Sequence, residues 1–401
     1  MELNQELISK SDLISRDLSW LQFNHRVLDQ SKKENRNLFE KLKFLAITSS
    51  NADEFFMIRV GSLYNYLDYG NDRIDYSGLR AIAFRNELMK GVKMFGKLQN
   101  DLFLDLRSSF AQHNFSIKGH NALTEKQQKQ ASKYFEKTIF PMLTPMVFDP
   151  YHSFPILMNN ILIFGVVTKA PKSKEKKKMS FIQLPQNLPR FFEIKEKGEV
   201  IFVPIEKIVE VHFDRIFKNV DIISSSLFRL TRNGDFTLEE SEDIEANFLE
   251  EMKKKLKTRK TGRVVRMEVE ESSDSWLIKQ LKKRYEIGDE NIKETPEGSL
   301  IDFTCLWQIV NHPEFDSFKP VKPSAVSPIS LTDLEHQDMF KVLKNKDILL
   351  HHPYNTIEPL LDLLDQAADD PNVLSIKLTI YRLAKESRVV EALLRAAENG
   401  K

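Results

Sequence analysis

The chain has 401 residues, of which 41% are hydrophobic and 29% are charged. This balance favours a globular protein of two or three domains, each with its own core, and excludes a chain that is disordered throughout. The 59 lysines and arginines nearly equal the 58 aspartates and glutamates, so the overall charge offers no general attraction for nucleic acid or a membrane surface.

Neither a membrane span nor a secretory signal is expected. No run of eighteen apolar residues occurs, and the first twenty residues lack the basic, apolar and small-residue regions of a signal peptide. We therefore expect a cytoplasmic protein without a transmembrane segment, and peripheral association with a membrane stays open. The single cysteine, Cys305, lies in an apolar stretch and is interpreted as a small core residue.

Residues 1–112 are predicted to be helical. Apolar residues recur at helical spacing from Leu18 to Tyr66. From Leu79 to Phe110 they recur every three or four residues with no proline between them, which predicts one long helix on the order of 45 Å at 1.5 Å per residue. We assign residues 1–112 to an all-α amino-terminal domain.

Residues 113–327 are predicted to form an α+β domain. After a helix near 124–138, five segments read as strands: PMLTPMVFDP, NNILIFGVVTK, MSFIQL, GEVIFVPIEKIVEV and GRVVRMEVE. In the last segment, alternation predicts Val265, Met267 and Val269 on one face of a strand. Asn233-Gly234 predicts a hairpin turn before DFTL, and a further helix is predicted over about 243–260.

A new domain is predicted to begin at residue 328. Residues 312–328 carry four prolines and read as a linker. Beyond them the order is strand (DILLHH), helix (TIEPLLDLLDQAADD), strand (VLSIKLTIYR) and helix (RVVEALLRAAENG), as in a parallel α/β sheet. Two strands and two helices do not make a core, so we expect residues 328–401 to be the opening of a longer α/β domain.

Common catalytic motifs leave the function open. The chain has no G-x-x-x-x-G-K-[ST], G-x-G-x-x-G, H-E-x-x-H or paired-cysteine pattern. Asn51 in SSNADEFFMIR stands three residues before Glu54, which is capping-box spacing. The residue is therefore either a structural helix cap or part of a helix amino terminus that faces a nucleotide.

Three further features have a functional and a structural interpretation. Arg382 ends a predicted parallel strand, where a guanidinium either binds phosphate or pairs with an acid such as Glu386. His351 and His352 are adjacent on a predicted strand and point to opposite faces, so we expect one buried and one solvated histidine, not a shared metal site. Lysines crowd the loop 169–180, which is either simply solvated or a docking site for a polyanion: Lys172, Lys174, Lys176, Lys177 and Lys178.

Five strings together resemble the larger kind of bacterial polyphosphate kinase: RDLSWLQFNHRVL, LKFLAITSSNADEFFMIRVGSL, ILLHHPYNTIEPLLDLL, VLSIKLTIYR and RVVEALLRAAENGK. The match is collinear from about Ile14 to Lys401. The resemblance implies a helical amino-terminal domain (1–112), a head domain with dimer contacts (113–327) and the start of a phospholipase D-like domain (328–401).

The resemblance also implies a reaction. Such enzymes transfer the terminal phosphoryl group of ATP reversibly to polyphosphate, with Mg²⁺, through a phosphorylated histidine, and act as homo-oligomers. Asn51 matches the family's ATP-contacting asparagine, which favours the nucleotide interpretation over the cap. Arg382 matches an arginine of the metal and phosphate site, where a guanidinium holds phosphate oxygens and does not ligate the ion. The family's histidine stands in a His-x-Lys setting with no counterpart here, so His351 and His352 do not inherit its role.

Two alternatives stay open. These residues could act as a non-catalytic nucleotide-binding, polyphosphate-binding or oligomerisation module. The complete protein could also be a phospholipase D-like hydrolase, which paired H-x-K-x4-D motifs downstream would reveal.

Overall fold

A computed structural model describes residues 12–70, 74–148, 154–169, 177–218, 220–234, 262–320, 326, 338–380, 383 and 387–401. The chain divides into two compact units, residues 1–319 and 320–401, and each is described by itself. Within the described residues, no helix is long and apolar enough to cross a membrane. The predicted segment DFTL and the predicted helix over 243–260 lie outside these residues.

The first unit begins with four α-helices. These are α1 (Arg16–Asp29), α2 (Leu38–Phe55), α3 (Gly61–Asp68) and α4 (Ala81–Arg107). A π-helical turn, Phe56–Val60, joins α2 to α3 without a break. The long helix predicted between Leu79 and Phe110 is confirmed as α4, whose 27 residues correspond to about 40 Å.

The described residues then form nine strands: β1 (Phe115–Ile117), β2 (Met146–Phe148), β3 (Leu162–Lys169), β4 (Lys178–Gln183), β5 (Phe191–Glu196), β6 (Glu199–Pro204), β7 (Asp221–Arg232), β8 (Val264–Glu270) and β9 (Ile292–Thr295). They make up two sheets, the first in the order β1-β6-β5 and the second in the order β2-β4-β3-β7-β8-β9. Pairing is antiparallel except for β1 with β6 and β8 with β9.

Shorter helices connect the strands: α5 (Glu125–Tyr134), α6 (Ile205–Glu210), α7 (Phe213–Ile216), α8 (Ser275–Tyr285) and α9 (Leu306–Val310). The strand predicted over GEVIFVPIEKIVEV is right only in its first half, because β6 ends at Pro204 and α6 follows. Ile205, Ile208 and Val209 are all buried, at the spacing of one helical face.

The prediction for strand β8 is also partly wrong. Met267 and Val269 share a core cluster, but Val265 packs into a different one, with Phe56 and Tyr64. The register shifts at this point, because Thr231 pairs with Arg266 whereas Arg232 pairs with Val264. Such a bulge leaves Val265 unpaired and breaks the simple alternation of faces.

One core runs through the helices and the three-stranded sheet. Leu21 of α1 and Phe103 of α4 belong to the same cluster of buried residues as Phe115, Phe202 and Phe303. Helices and sheet therefore stabilise each other by burying a common apolar surface. The predicted domain boundary at residue 112 crosses this core and stays a prediction.

The second unit contains helices α10 (Met339–Asn345), α11 (Glu358–Asp369) and α12 (Arg388–Glu398). The two predicted helices are thus present, but no strand forms at 347–352 or at the described residues 373–380. A strand requires a paired neighbour, and the described part of this unit has only an isolated bridge between Val326 and Asn355. Leu349 and Leu374 are accordingly 87% exposed.

Candidate nucleotide site

Asn51 lies inside helix α2. The helix begins at Leu38 and is capped by Asn37, whose side-chain oxygen accepts a 2.8 Å hydrogen bond from the backbone N–H of Glu40. Buried Leu38, Leu42 and Leu45 then hold one face against the core. Because the helix is already established before Asn51, both predicted positions for this residue, a helix cap and a helix amino terminus, are wrong.

A chain of polar side chains surrounds Asn51 at the junction of three helices. Its Nδ2 donates to Oδ1 of Asn24 in α1 at 3.1 Å, and Nδ2 of the fully buried Asn24 donates to the carbonyl of Thr48 at 3.2 Å. Gln99 of α4 donates to Thr48 Oγ1 at 2.9 Å. Among the described residues, Asn51 makes no second side-chain hydrogen bond, so its half-buried Oδ1 is free to accept one.

Asp53, two residues further on, belongs to a buried ionic network. Its carboxylate is buried. It accepts a 2.9 Å hydrogen bond at Oδ1 from Nη1 of Arg229 in β7 and a second hydrogen bond from Arg266 of β8. Glu268 of β8 lies between the same two arginines, and its Oε2 accepts a 2.8 Å hydrogen bond from Nη1 of Arg229. The same carboxylate accepts a 3.2 Å hydrogen bond from Lys293 of β9. The network therefore ties α2 to the six-stranded sheet.

The network governs the protonation of its acids. Burial raises the pKa of Glu268, but the charges of Arg266, Lys293 and Arg229 outweigh it and hold that pKa at about 2. Burial likewise raises the pKa of Asp302, and Arg229 lowers it below its usual value. Opposite charges at close range favour the ionised carboxylates. No spacing in the sequence revealed this network, because its members come from five separate segments: Asp53, Arg229, Arg266 with Glu268, Lys293 and Asp302.

The strings RDLSWLQFNHRVL and LKFLAITSSNADEFFMIRVGSL, which carry part of the family resemblance, both contribute residues to the lining of a cleft of about 360 Å³. Arg59, after the π-helical turn, donates to Asp17 of α1 at 2.9 Å, and Trp20 stacks on Phe55 with ring centroids 3.9 Å apart. The pKa of Asp17 is raised, chiefly by burial. The sequence interpretation missed the Arg59–Asp17 pair, since 42 positions separate the two residues. Asn51 does not line this cleft.

The other predicted site residues belong to the second unit. Arg382 lies outside the described residues. His351 and His352 are both exposed, and His352 is the first residue of a turn, so the expectation of one buried histidine on a strand is wrong. The reason is that no sheet forms there to bury a side chain.

The basic loop is described only at its end. Lys172, Lys174 and Lys176 lie outside the described residues, whereas Lys177 is exposed, with its Nζ 5.5 Å from the centre of the Trp276 ring. Lys178 begins β4. Cys305 is buried as predicted, and burial raises the pKa of its thiol, which therefore stays protonated.

The described residues do not form a protein cage for a metal. They contain no group of three or more histidine, cysteine, aspartate or glutamate side chains that could hold an ion. Mg²⁺ is usually bound through one or two carboxylates together with substrate phosphates and water, so such a cage is not required for phosphoryl transfer.

Three family models match the chain in order. Residues 13–118 match the polyphosphate kinase N-terminal domain, 126–309 the middle domain and 338–401 the C-terminal domain 1. A polyphosphate kinase from Halalkalibacterium halodurans is 36% identical over 397 residues, covering 96% of this chain and 55% of that protein. One from Campylobacter jejuni subsp. doylei is 33% identical over 390 residues, covering 97% and 54%. The chain thus spans about half the length of these curated relatives.

The fold has a counterpart among solved structures. The crystal structure of polyphosphate kinase from Porphyromonas gingivalis superposes with a TM-score of 0.74 over 97% of this chain and 54% of that chain. Sequence identity is 23%, so this likeness concerns the fold alone.

Proposed function

Because the chain belongs to the polyphosphate kinase family, we propose that the protein containing it transfers the terminal phosphoryl group of ATP reversibly to a polyphosphate chain. The observation that carries the proposal is the collinear match of three models of this family, which begins at residue 13 and ends at residue 401. Polyphosphate and ATP are the substrates, Mg²⁺ is the cofactor, and the enzyme works in the cytoplasm as a homo-oligomer.

Asn51 is the proposed ATP contact in this part of the protein. Its amide nitrogen is engaged by Asn24, which fixes the side chain, while its Oδ1 is available to a donor of the nucleotide. A half-buried acceptor held in one orientation loses little rotamer freedom on binding. The proposed role therefore depends on a side chain in the interior of a helix and not on the position of Asn51 at a helix amino terminus.

Arg382 is proposed to hold phosphate oxygens next to Mg²⁺. ATP and polyphosphate are both densely anionic, so transfer requires several cations that spread the charge of the moving phosphoryl group. The guanidinium fork suits phosphate oxygens, and the metal would be held mainly through those phosphates.

The proposed nucleophile is a histidine nitrogen that takes the phosphoryl group and passes it on, which divides one difficult step into two. None of the nine histidines of this chain stands in a His-x-Lys setting. We therefore expect these 401 residues alone not to become phosphorylated.

Labelling with γ-³²P ATP tests the proposal. The whole protein should acquire acid-labile label and form labelled polyphosphate in the presence of Mg²⁺, whereas the 401 residues alone should acquire none. Label on His351 or His352 would contradict the assignment of the nucleophile. Absence of labelled polyphosphate from the whole protein would contradict the function itself.

A further inference from the structure

Among the described residues, the buried cation Arg232 has no neighbouring anion. It ends strand β7 and is 6% exposed. Its guanidinium donates to the carbonyls of Leu157, at 3.1 and 3.0 Å, and of Gly262, at 2.7 Å. Within the described part of the chain, no carboxylate lies within ion-pair distance of it.

Other deeply buried arginines of this protein are neutralised. Arg190 pairs with Glu206, and Arg229 and Arg266 share Asp53 and Glu268. The difference appears in the pKa values: that of Arg232 is lowered by burial, whereas those of Arg190 and Arg229 are raised because the nearby carboxylates outweigh burial. An uncompensated buried charge is costly, and a bound anion would remove that cost.

Arg232 lines an open cavity of about 340 Å³ together with two more arginines. Arg263 pairs with Asp68, but its Nε is buried and finds no acceptor in the described part of the chain. Arg284 is exposed, lies 5.1 Å from the centre of the Phe154 ring, and has no carboxylate partner among the described residues. One carboxylate, Glu286, is among the ten residues that line the cavity, so positive charge predominates there.

The cavity also contains the Tyr285 hydroxyl group. It is buried and interacts with the Arg232 guanidinium, but among the described residues it has no hydrogen-bond partner in good geometry. A buried hydroxyl without a partner is uncommon in native proteins. Arginine forks and a hydroxyl donor that converge on one cavity match the oxygens of a phosphate group.

We propose that the cavity lined by Arg232, Arg263, Arg284 and Tyr285 binds a short run of phosphate units. The volume is at the low end of the range of about 300 to 1,000 Å³ that is typical of small-ligand sites, and this suits a few linked phosphates. Identification of the anion as polyphosphate rests on the proposed function, whereas the phosphate site itself rests on the geometry.

Isothermal titration with inorganic tripolyphosphate, at fixed ionic strength, tests the proposal. Arg284→Gln should raise the Kd about tenfold, because it removes a charge-assisted contact from an exposed position where folding does not depend on it. Lys283→Gln is the matched control: it removes the same charge from the adjacent exposed residue of α8, which does not line the cavity, and should change the Kd less than about twofold. Tyr285→Phe, which keeps the ring, should also weaken binding.

Three outcomes would overturn the inference. If Arg284→Gln and Lys283→Gln raised the Kd equally, tripolyphosphate would be attracted to the positive surface in general and not bound in this cavity. Equal competition by sulfate would exclude a site for linked phosphates. If Arg284→Gln raised the Kd for ATP but not the Kd for tripolyphosphate, the cavity would be a nucleotide site. Because titration needs no turnover, a protein that binds tripolyphosphate through Arg284 but makes no polyphosphate would contradict the proposed function alone.

Discussion

Asp53 Oδ1 lies 2.9 Å from Nη1 of Arg229, although 176 positions separate the two residues. The contact joins helix α2 to strand β7, and Arg266 joins β8 to the same carboxylate. Two residues of the string SSNADEFF thus have different roles. Asn51 faces a partly open polar junction, whereas Asp53 attaches the same helix to the sheet.

Asp53→Asn should destabilise the first unit strongly. The change leaves the buried guanidinium groups of Arg229 and Arg266 without one of their counter-charges, which costs roughly 3 to 5 kcal/mol. Urea unfolding followed by circular dichroism measures the loss. Asp101→Asn, the same change at an exposed position of α4, should alter the free energy of unfolding by less than about 0.5 kcal/mol. Equal stability of the two variants would mean that the network contributes nothing.

Acid should weaken the same network over a defined range of pH. The pKa of Glu268 is about 2 in the folded protein against 4.5 for the ordinary group, so its contribution is complete above pH 4.5 and is lost as the pH falls towards 2. The difference corresponds to a stabilisation on the order of 3 kcal/mol.

The measurement is the difference in unfolding free energy between the native protein and Glu268→Gln, followed from pH 6 downward. This difference should shrink below about pH 4.5, because protonation makes the native side chain resemble the variant. Glu294→Gln, at an exposed position of the adjoining strand β9, should show no such dependence. A difference independent of pH would contradict the low pKa of Glu268.

Asn51→Ala should raise the KM for ATP of the whole protein by roughly tenfold, because the variant lacks the Oδ1 acceptor that the contact with Asn24 holds in one orientation. Alanine favours a helix interior, so the helix itself should not be weakened. Loss of the Asn24 contact should cost about 1 to 3 kcal/mol of stability.

Ser50→Ala is the control for Asn51→Ala, because Ser50 is the exposed neighbour in the same helix turn. Its KM for ATP should stay unchanged. If Asn51→Ala lowered stability while the KM for ATP stayed that of the native protein, Asn51 would be a structural residue of the helix junction and not a nucleotide contact.

Gly61→Ala should destabilise the junction between α3 and the end of β7. A Cβ at Gly61 would overlap Oδ1 of Asn233, so the Asn233 side chain would have to move and would lose its 2.9 Å hydrogen bond to Asn65. We expect a loss of about 1 to 3 kcal/mol in thermal or urea unfolding.

Two further variants test this explanation of Gly61→Ala. Asn233→Gly in the Gly61→Ala background should recover part of the lost stability by clearing the space. Gly119→Ala, where a Cβ meets nothing within 4 Å, should be neutral or slightly stabilising. A Gly61→Ala protein as stable as the native one would show that the close approach is easily relieved.

Local patterns were sufficient for the elements that depend on local interactions. The spacing of apolar residues predicted helix α4, and the apolar character of LIFGVVTK predicted β3, because helix faces and buried strands repeat at short range. The same patterns failed where long-range pairing decides. Val265 left the expected face because of a bulge, and the segment around Leu374 did not form a strand because no described segment pairs with it.

The sequence by itself determined the family, through long collinear strings, and with it the choice of Asn51 and Arg382. The tertiary structure decided how the described side chains are placed. Asn51 is in a helix interior and bonded to Asn24, Asp53 is bonded to Arg229, and buried Arg232 has no counter-charge among the described residues. These relationships depend on side chains that lie far apart in the chain and meet only when the helices pack on the sheet. Their energies come from burial and charge, which no local pattern of residues records.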